Sequence, residues 1–169
     1  MKQKPEKHLA SIDPILGAAI ARIRLPTPKA RQARNHFYTL VESIVSQQLS
    51  VKASDTIFRR FKKLFVDAGM IKSSRSFPQP AQVLAMPESK MRKVGLSAAK
   101  VKYIRDLAQK VYRKEVALTR LKKMPDEEVI QHLIQVKGIG RWTGEMFLMF
   151  ALQRPDVFSH GDLGLRNAI

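Results

Sequence analysis

Residues 136–143, together with one carboxylate further along the chain, have the types and spacing for chemistry on a phosphate-containing ligand. Gly138 and Gly140 are separated by a single apolar residue, in a segment that joins two apolar runs of helical period. Glycine can adopt positive φ, and bare backbone N–H groups at a helix N-terminus bind anions. The segment is therefore expected to bind a DNA phosphate. Asp162 becomes a candidate for chemistry on that DNA, although an aspartate after a glycine commonly caps a helix.

The charge of the chain favours the same partner. It contains 31 Lys and Arg against 14 Asp and Glu, a formal charge of +17, which is typical of proteins that bind polyphosphate or an anionic surface. The apolar stretch over residues 15–21 is far shorter than the roughly 20 residues of a membrane-spanning helix, and residues 1–8 lack the pattern of a secretory signal. We expect a soluble intracellular protein that binds no membrane, cytoplasmic and nucleoid-associated in a prokaryote or nuclear in a eukaryote.

The residue types also limit the cofactors. The sequence has no cysteine, which excludes disulfides, thiolate zinc sites and cysteine-ligated iron–sulfur clusters. Its four histidines have no spacing typical of a metal site, and no serine is singled out as the nucleophile of a catalytic triad. No cofactor is therefore expected.

The elements that must position these residues are helices, because the apolar period is helical almost throughout. The predicted helices are those that start after Asp13, Asn35, Ser50 and Ser97, two short ones over residues 81–85 and 88–94, and the two arms of a hairpin over residues 126–152. Residues 71–80 are predicted to form a loop, and a polar, basic linker follows Pro28. The sequence thus predicts an all-α fold, with a basic N-terminal tail over residues 1–11 and one domain over residues 12–169.

Four motifs in this order resemble those of the helix-hairpin-helix DNA glycosylases, and within them the 3-methyladenine DNA glycosylase II, or alkylpurine, branch. The motifs are Ile44–Ser50, Gly95–Ser97 with Lys100, Val136–Thr143 and His160–Leu163. The resemblance covers nearly the whole chain from Asp13 onward. It implies a two-lobed helical fold, with the hairpin and Asp162 at the mouth of a cleft, and double-stranded DNA with damaged bases as the partner.

The resemblance identifies Asp162 as the catalytic aspartate of the family. It implies hydrolysis of the bond between a damaged base and its sugar, in which a carboxylate stabilises positive charge on the sugar and orients or deprotonates water. Relatives that also cut the backbone have a Schiff-base lysine where this chain has Trp142, so the resemblance implies a monofunctional enzyme. The indole can stack on an extruded alkylpurine, or it can be a core residue.

Further site residues follow from the same resemblance. Met146 falls where relatives often have an aromatic pocket residue, although a methionine there can also be ordinary packing. His160 lies near Asp162 and is a candidate contact for DNA or substrate, or else has a structural role. The loop that enters the minor groove in relatives corresponds to Gln47, Gln48 and Leu49, and Gln48 or Leu49 could act as the wedge between bases. The alternative is that these residues form a capped helix junction in which Leu49 is buried. Phosphate contacts are expected at Lys137, Gly138, Gly140, Arg141 and Thr143. A monovalent cation is expected on the backbone carbonyls near Ile134, Val136 and Ile139.

One departure from the family concerns the end of the chain. Relatives continue past the helix of the aspartate with further C-terminal helices, whereas this sequence stops at Ile169. The expectation is a form without those helices, with apolar surface exposed on the first helix and around Phe147 and Phe150, and a monomer that can self-associate. The expected function is excision of alkylated purines in base excision repair. A DNA-binding module without catalysis and a glycosylase for another lesion remain open.

Overall fold

A computed structural model of the chain describes residues 5–23 and 35–168. Every regular element within these residues is a helix, so the all-α prediction is confirmed for the part described. The chain divides into two compact units, Met1–Ala30 and Arg31–Ile169. The linker predicted after Pro28 lies outside the described residues. None of the described helices is both long enough and apolar enough to cross a membrane.

The N-terminal unit consists of two helices, α1 (Pro5–Ile12) and α2 (Pro14–Arg22). Asp13 caps α2 as predicted, because its carboxylate accepts the N–H groups of Ile15 and Leu16 at 2.9 Å. Helix α1 begins within residues 1–11, for which the sequence suggested only a basic tail. The two helices pack closely, and a Cβ on Gly17 would lie 3.0 Å from the carbonyl oxygen of Ala10; this packing stabilises a helix that is too short to form alone.

The second unit contains eight α-helices among its described residues. They are α3 (His36–Ser46), α4 (Val51–Asp67), α5 (Pro80–Ala85), α6 (Glu88–Lys93), α7 (Ala98–Tyr112), α8 (Asp126–Ile134), α9 (Arg141–Phe150) and α10 (Leu163–Ala168), with a 3₁₀ turn at Leu121–Lys123. The predicted caps are confirmed, since the side chains of Asn35, Ser50 and Ser97 each accept a backbone N–H of the first turn. The hairpin is α8 and α9, as predicted for residues 126–152.

The core of this unit lies between the apolar faces of α3, α4, α7, α8 and α9. Burial of each large apolar side chain contributes about 1.5–3 kcal/mol. The largest fully buried side chains are Phe37, Phe61, Phe65, Leu40, Ile44, Met86, Met91, Ile104, Leu107, Leu121, Leu133 and Leu148. Because α3, α7 and the hairpin share this core, the loop after α3 and the turn between α8 and α9 have fixed positions relative to each other.

The structure corrects one expectation about exposed apolar residues. Phe147 is only 3% exposed, because it turns inward from α9 and packs edge-on against the ring of His36 at 5.3 Å. Phe150, three residues later, is 62% exposed. The apolar surface predicted around this pair is therefore confined to Phe150.

Candidate active site

Asp162 and Trp142 are joined by a hydrogen bond. Trp142 lies in the first turn of α9 and Asp162 directly before α10, and the indole Nε1–H donates to Oδ2 of Asp162 at 2.7 Å. The other carboxylate oxygen, Oδ1, accepts the backbone N–H of Leu165 at 3.1 Å. Asp162 therefore caps α10, and the cap also holds the carboxylate in one place beside the hairpin.

These hydrogen bonds favour the ionised form of Asp162. The indole N–H of Trp142 holds the pKa of the Asp162 carboxyl below its usual value, and the backbone N–H groups of Leu165 and Gly164 act in the same direction. An ionised carboxylate accepts hydrogen bonds and stabilises nearby positive charge. The side chain is half-buried, so it remains accessible to water and to a ligand.

Trp142 is not a core residue. It is 48% exposed, which excludes the core interpretation and leaves the indole available for contact with a ligand while its N–H group is held by Asp162. Met146 lies one turn further along α9 and is half-buried, in keeping with a place at the edge of a pocket or with packing. The site thus has one exposed aromatic ring beside one carboxylate.

The segment before Asp162 adds an aromatic pair. His160 is exposed, and its ring packs edge-on against Phe158 at 5.0 Å. Phe158 is itself 59% exposed and was not singled out from the sequence. The only feature of the sequence that could have pointed to Phe158 as a site residue is its proximity to Asp162 in the chain.

Glu145 and Ser159 are two further residues that sequence reasoning missed. Glu145 is 8% exposed and Ser159 1% exposed, and the serine hydroxyl donates to Oε2 of Glu145. The signal for Glu145 is a charge within the apolar run of α9, which a helix tolerates on its buried side only when the charge is paired. This bond ties the segment before Asp162 to α9.

The two hairpin glycines have different roles. Gly138 has φ +79°, and a Cβ there would lie 2.2 Å from the ring of Tyr103, so only glycine fits. Gly140 has φ −96° and is the N-cap of α9, a conformation open to any residue. Apart from its chain neighbours, no atom lies within 4 Å of where a Cβ on Gly140 would be, so a side chain at this position would enter open space.

The turn of the hairpin rests on α7. The backbone N–H of Lys137 donates to Oδ2 of Asp106 at 2.9 Å, and Asp106 also pairs with Lys110 at 2.9 Å. Burial raises the pKa of Asp106, but the hydrogen bonds from Lys110 and from the Lys137 backbone outweigh it, so the pKa lies below its usual value. One N–H group of the turn is therefore satisfied by the protein itself, and the Lys137 side chain is exposed.

The loop after α3 is tied to the hairpin. Gln47 donates from Nε2 to the carbonyl oxygen of Gly138 at 2.7 Å. Lys100 donates to the carbonyl oxygens of Val45 at 2.7 Å and Gln47 at 2.8 Å, and burial lowers the pKa of its ammonium group. Gln47 is thus a link between loop and hairpin.

The tip of the same loop is exposed. Gln48 has φ 55°, a left-handed conformation that is uncommon for residues other than glycine, and its side chain is exposed. Leu49 is 39% exposed, so the interpretation of a buried Leu49 is wrong. The predicted wedge residues are both available at the surface.

The side chains of Arg141 and Thr143 are less available to bind a DNA phosphate than the sequence suggested. The guanidinium of Arg141 forms two hydrogen bonds to Glu127, at 2.9 and 2.7 Å, and one to Glu145 at 3.2 Å. A phosphate would compete with these carboxylates for Arg141. Thr143 is 8% exposed, so a contact from it would come from the backbone rather than the side chain.

The carbonyl groups expected to hold a monovalent cation lie at the end of α8 and in the turn that follows. The carbonyl oxygen of Val136 accepts the N–H of Ile139 at 3.0 Å, and a carbonyl that accepts one hydrogen bond keeps a second lone pair. Backbone oxygens suit a hard cation. A monovalent cation on the carbonyl oxygens of Ile134, Val136 and Ile139 therefore stays a prediction. Within the described residues, no group of three His, Asp or Glu side chains could hold a metal ion.

Comparisons with known proteins show which family the chain belongs to. Residues 41–169 match the HhH-GPD superfamily of base excision DNA repair proteins. The chain is 34% identical to DNA-3-methyladenine glycosylase 1 of Schizosaccharomyces pombe, over 97% of this chain and 70% of the relative.

Two solved structures are also similar. One is the DNA-3-methyladenine glycosidase of Bacillus halodurans, with a TM-score of 0.79 and 36% identity over 98% of this chain and 72% of that one. The other is the S. pombe 3-methyladenine DNA glycosylase in complex with abasic DNA, with a TM-score of 0.75 and 33% identity over 98% of this chain and 78% of that one. These similarities confirm the helix-hairpin-helix glycosylase fold, and the chain belongs to the HhH-GPD superfamily of base excision DNA repair proteins.

Proposed function

We propose that the protein is a monofunctional DNA glycosylase that removes alkylated purines, of the 3-methyladenine and 7-methylguanine kind, from duplex DNA in base excision repair. The observation that carries the proposal is the hydrogen bond of 2.7 Å between Trp142 and Asp162, beside the hairpin. It holds an ionised carboxylate next to an exposed aromatic ring. The names of the relatives, which are 3-methyladenine glycosylases, support the substrate class.

The reaction is hydrolysis of the bond between the base and C1′ of the sugar. As this bond breaks, its electron pair leaves with the base and positive charge develops on the sugar, which the carboxylate of Asp162 stabilises. A water oxygen then bonds to C1′, and its proton passes to Asp162 or to solvent. An alkylated purine is already cationic and leaves as a neutral base, so no strong general acid is required.

Trp142 excludes a Schiff-base mechanism at its position. A Schiff base with the sugar needs an amine, and an indole offers none, so the DNA backbone is left intact. The electron-rich ring is instead suited to stack on a cationic base. Trp142 is 48% exposed, and this accessible surface supports the stacking role.

The remaining candidate residues would bind and distort the duplex. An enzyme that acts on a base must extrude it, at a cost of a few kcal/mol, and Gln48 and Leu49 are the exposed side chains proposed to fill the gap. Lys137 and the N-terminus of α9 at Gly140 are proposed to bind phosphate. A monovalent cation bound by the turn carbonyls would add positive charge for a phosphate there.

The test is to incubate the protein with methylated duplex DNA and to identify the released bases by chromatography. We expect free 3-methyladenine and 7-methylguanine, with strand cleavage only after alkali and no protein–DNA adduct trapped by borohydride. DNA binding without release of any base would mean a binding module. Release from oxidised or mismatched DNA alone would reject the substrate class, and a trapped adduct would reject the monofunctional mechanism.

A further inference from the structure

We propose that Glu145 is a positioning residue, which holds the segment before Asp162 through Ser159 and so fixes where the carboxylate meets Trp142. The inference rests on the proposed function, because it assigns Glu145 and Ser159 a place in the same reaction. Neither residue is proposed to touch the substrate.

Ser159 connects α9 to the turn that contains Asp162. Its hydroxyl donates to Oε2 of Glu145, and its carbonyl oxygen accepts the backbone N–H of Asp162 at 3.1 Å. The residue is 1% exposed, so water does not compete for the hydroxyl. One buried side chain therefore determines where this turn lies against α9.

Helix α9 holds Asp162 at two points. Trp142 binds the carboxylate directly, and Glu145, three positions later on the same helix, binds Ser159. Residues three apart are neighbours on a helix surface, so both contacts come from one side of α9. The indole bond fixes the end of the Asp162 side chain, and the Glu145–Ser159 bond fixes the backbone from which it extends.

The charge of Glu145 is otherwise difficult to explain. A buried carboxylate is unfavourable unless its oxygens are paired, and packing alone would be served by an apolar residue in this run. Here Oε1 accepts from Nε of Arg141 at 3.2 Å and Oε2 accepts from Ser159. Arg141, which also pairs with Glu127, offsets part of this charge at Oε1, and Oε2 is left to hold the hydroxyl.

The tryptophan offers a direct readout in the free protein. The sequence contains one tryptophan, so its indole N–H gives a single NMR signal that reports on the bond to Asp162 and titrates with that carboxyl. We expect Ser159→Ala and Glu145→Leu to speed exchange of this proton with water and to move the titration midpoint to higher pH. Ser159→Thr and Glu145→Gln retain the donor or the acceptor, and we expect them to restore both properties.

The kinetic readout separates positioning from general damage. Displacement of a catalytic group by about 1 Å can lower a rate about 100-fold. We therefore expect Ser159→Ala to lower the single-turnover rate of base release by about 10- to 100-fold, with affinity for an abasic-site duplex unchanged. Ser54→Ala is the matched control, because Ser54 is also buried at 9% exposure but donates within α4, to the carbonyl of Val51 at 2.9 Å.

The outcomes are distinguishable. An indole signal that is the same in Ser159→Ala as in the unsubstituted protein would overturn the inference, as would a Glu145→Gln variant as impaired as Glu145→Leu. If Glu145→Leu fails to fold, the indole signal of Ser159→Ala decides whether the inference holds. If the unsubstituted protein releases no base, the proposed function fails, and the indole signal still decides whether Glu145 and Ser159 hold Asp162.

Discussion

At the scale of single residues, the indole of Trp142 favours the ionised form of Asp162. The N–H donor stabilises the charged carboxylate and therefore lowers its pKa. A lowered pKa means that the carboxylate persists as the pH falls below the usual range of an aspartate. The site therefore keeps its anionic form over a wider range of acidity than a free aspartate would.

Substitution Trp142→Phe tests this effect. It removes the donor and keeps an aromatic ring, so the pKa of Asp162 should rise toward its ordinary value and the acid limb of the pH–rate profile should move to higher pH. The measurement is the single-turnover rate of base release as a function of pH in both proteins. Coincident acid limbs would show that the indole bond does not control the ionisation of Asp162.

Glu127 is predicted to restrain DNA binding. Hydrogen bonds from Arg141 and Gln131 lower the pKa of Glu127 to about 2, so the ion pair with Arg141 is present at neutral pH and is lost only in strong acid. Glu127→Gln should leave Arg141 held mainly by Glu145, which makes part of its guanidinium available to phosphate, and should strengthen binding of an abasic-site duplex about two- to fivefold.

The control is Glu128→Gln, which removes the same charge from the same turn of α8. Among the described residues, Glu128 does not pair with Arg141. Binding measured by fluorescence anisotropy should strengthen less in the control. Equal gains in the two variants would mean that general charge, and not release of Arg141, is responsible.

The sequence could predict Asp162 as a cap and as a candidate acid, since both follow from its neighbours in the chain. It could not predict the partners of that acid. Trp142 is 20 residues away and Ser159 acts on Glu145 across 14 residues, and such contacts depend on how α9 packs against the segment before α10. The pairing of Arg141 with Glu127 was missed for the same reason.

At the scale of elements, the hairpin depends on α7. Tyr103 packs beneath Gly138, and Asp106 accepts the N–H of Lys137. The sequence pattern predicted both glycines as special, but only Gly138 lies in the left-handed region. The sequence alone could not show that Gly140 differs from Gly138 in its backbone conformation, because this difference depends on which residue becomes the N-cap of α9.

A pair of alanine substitutions separates these two roles. Gly138→Ala would force a Cβ into Tyr103 at positive φ, and we expect it to lower the free energy of unfolding by about 2–4 kcal/mol. Gly140→Ala meets no atom within 4 Å, so its stability should change by less than about 0.5 kcal/mol, whereas DNA affinity should fall because a methyl group obstructs the phosphate. Urea denaturation and DNA titration measure the two effects. A Gly140→Ala variant with unchanged affinity would remove that position from the phosphate site.

Helix positions were predictable wherever apolar period and capping residue agreed, as at Asn35, Ser50 and Ser97. Helix α1 was missed because its sequence is polar at the start and its stability comes from contact with α2. Phe147 and Phe150 could not be separated from the sequence either, since both lie in one apolar run and only packing against His36 distinguishes them.

At the scale of the whole molecule, the charge of +17 predicts DNA binding that weakens steeply with salt, because each neutralised phosphate releases counterions. If Lys137 binds one phosphate, Lys137→Ala should reduce the slope of log K against log salt by about one. Lys63→Ala is the matched control, since Lys63 pairs with Asp67 at 2.7 Å on α4 and should leave the slope unchanged. The same loss of slope in both variants would remove Lys137 as a specific phosphate contact.

The central claim is that Asp162 is the catalytic carboxylate, and Asp162→Asn tests it most directly. Asparagine retains a side-chain oxygen that can cap α10, so folding and affinity for an abasic-site duplex should be preserved. The measurement is the single-turnover rate at which free 7-methylguanine is released from methylated duplex DNA by each protein. We predict that the rate falls at least about 100-fold in the variant; equal rates in the two proteins would contradict the account.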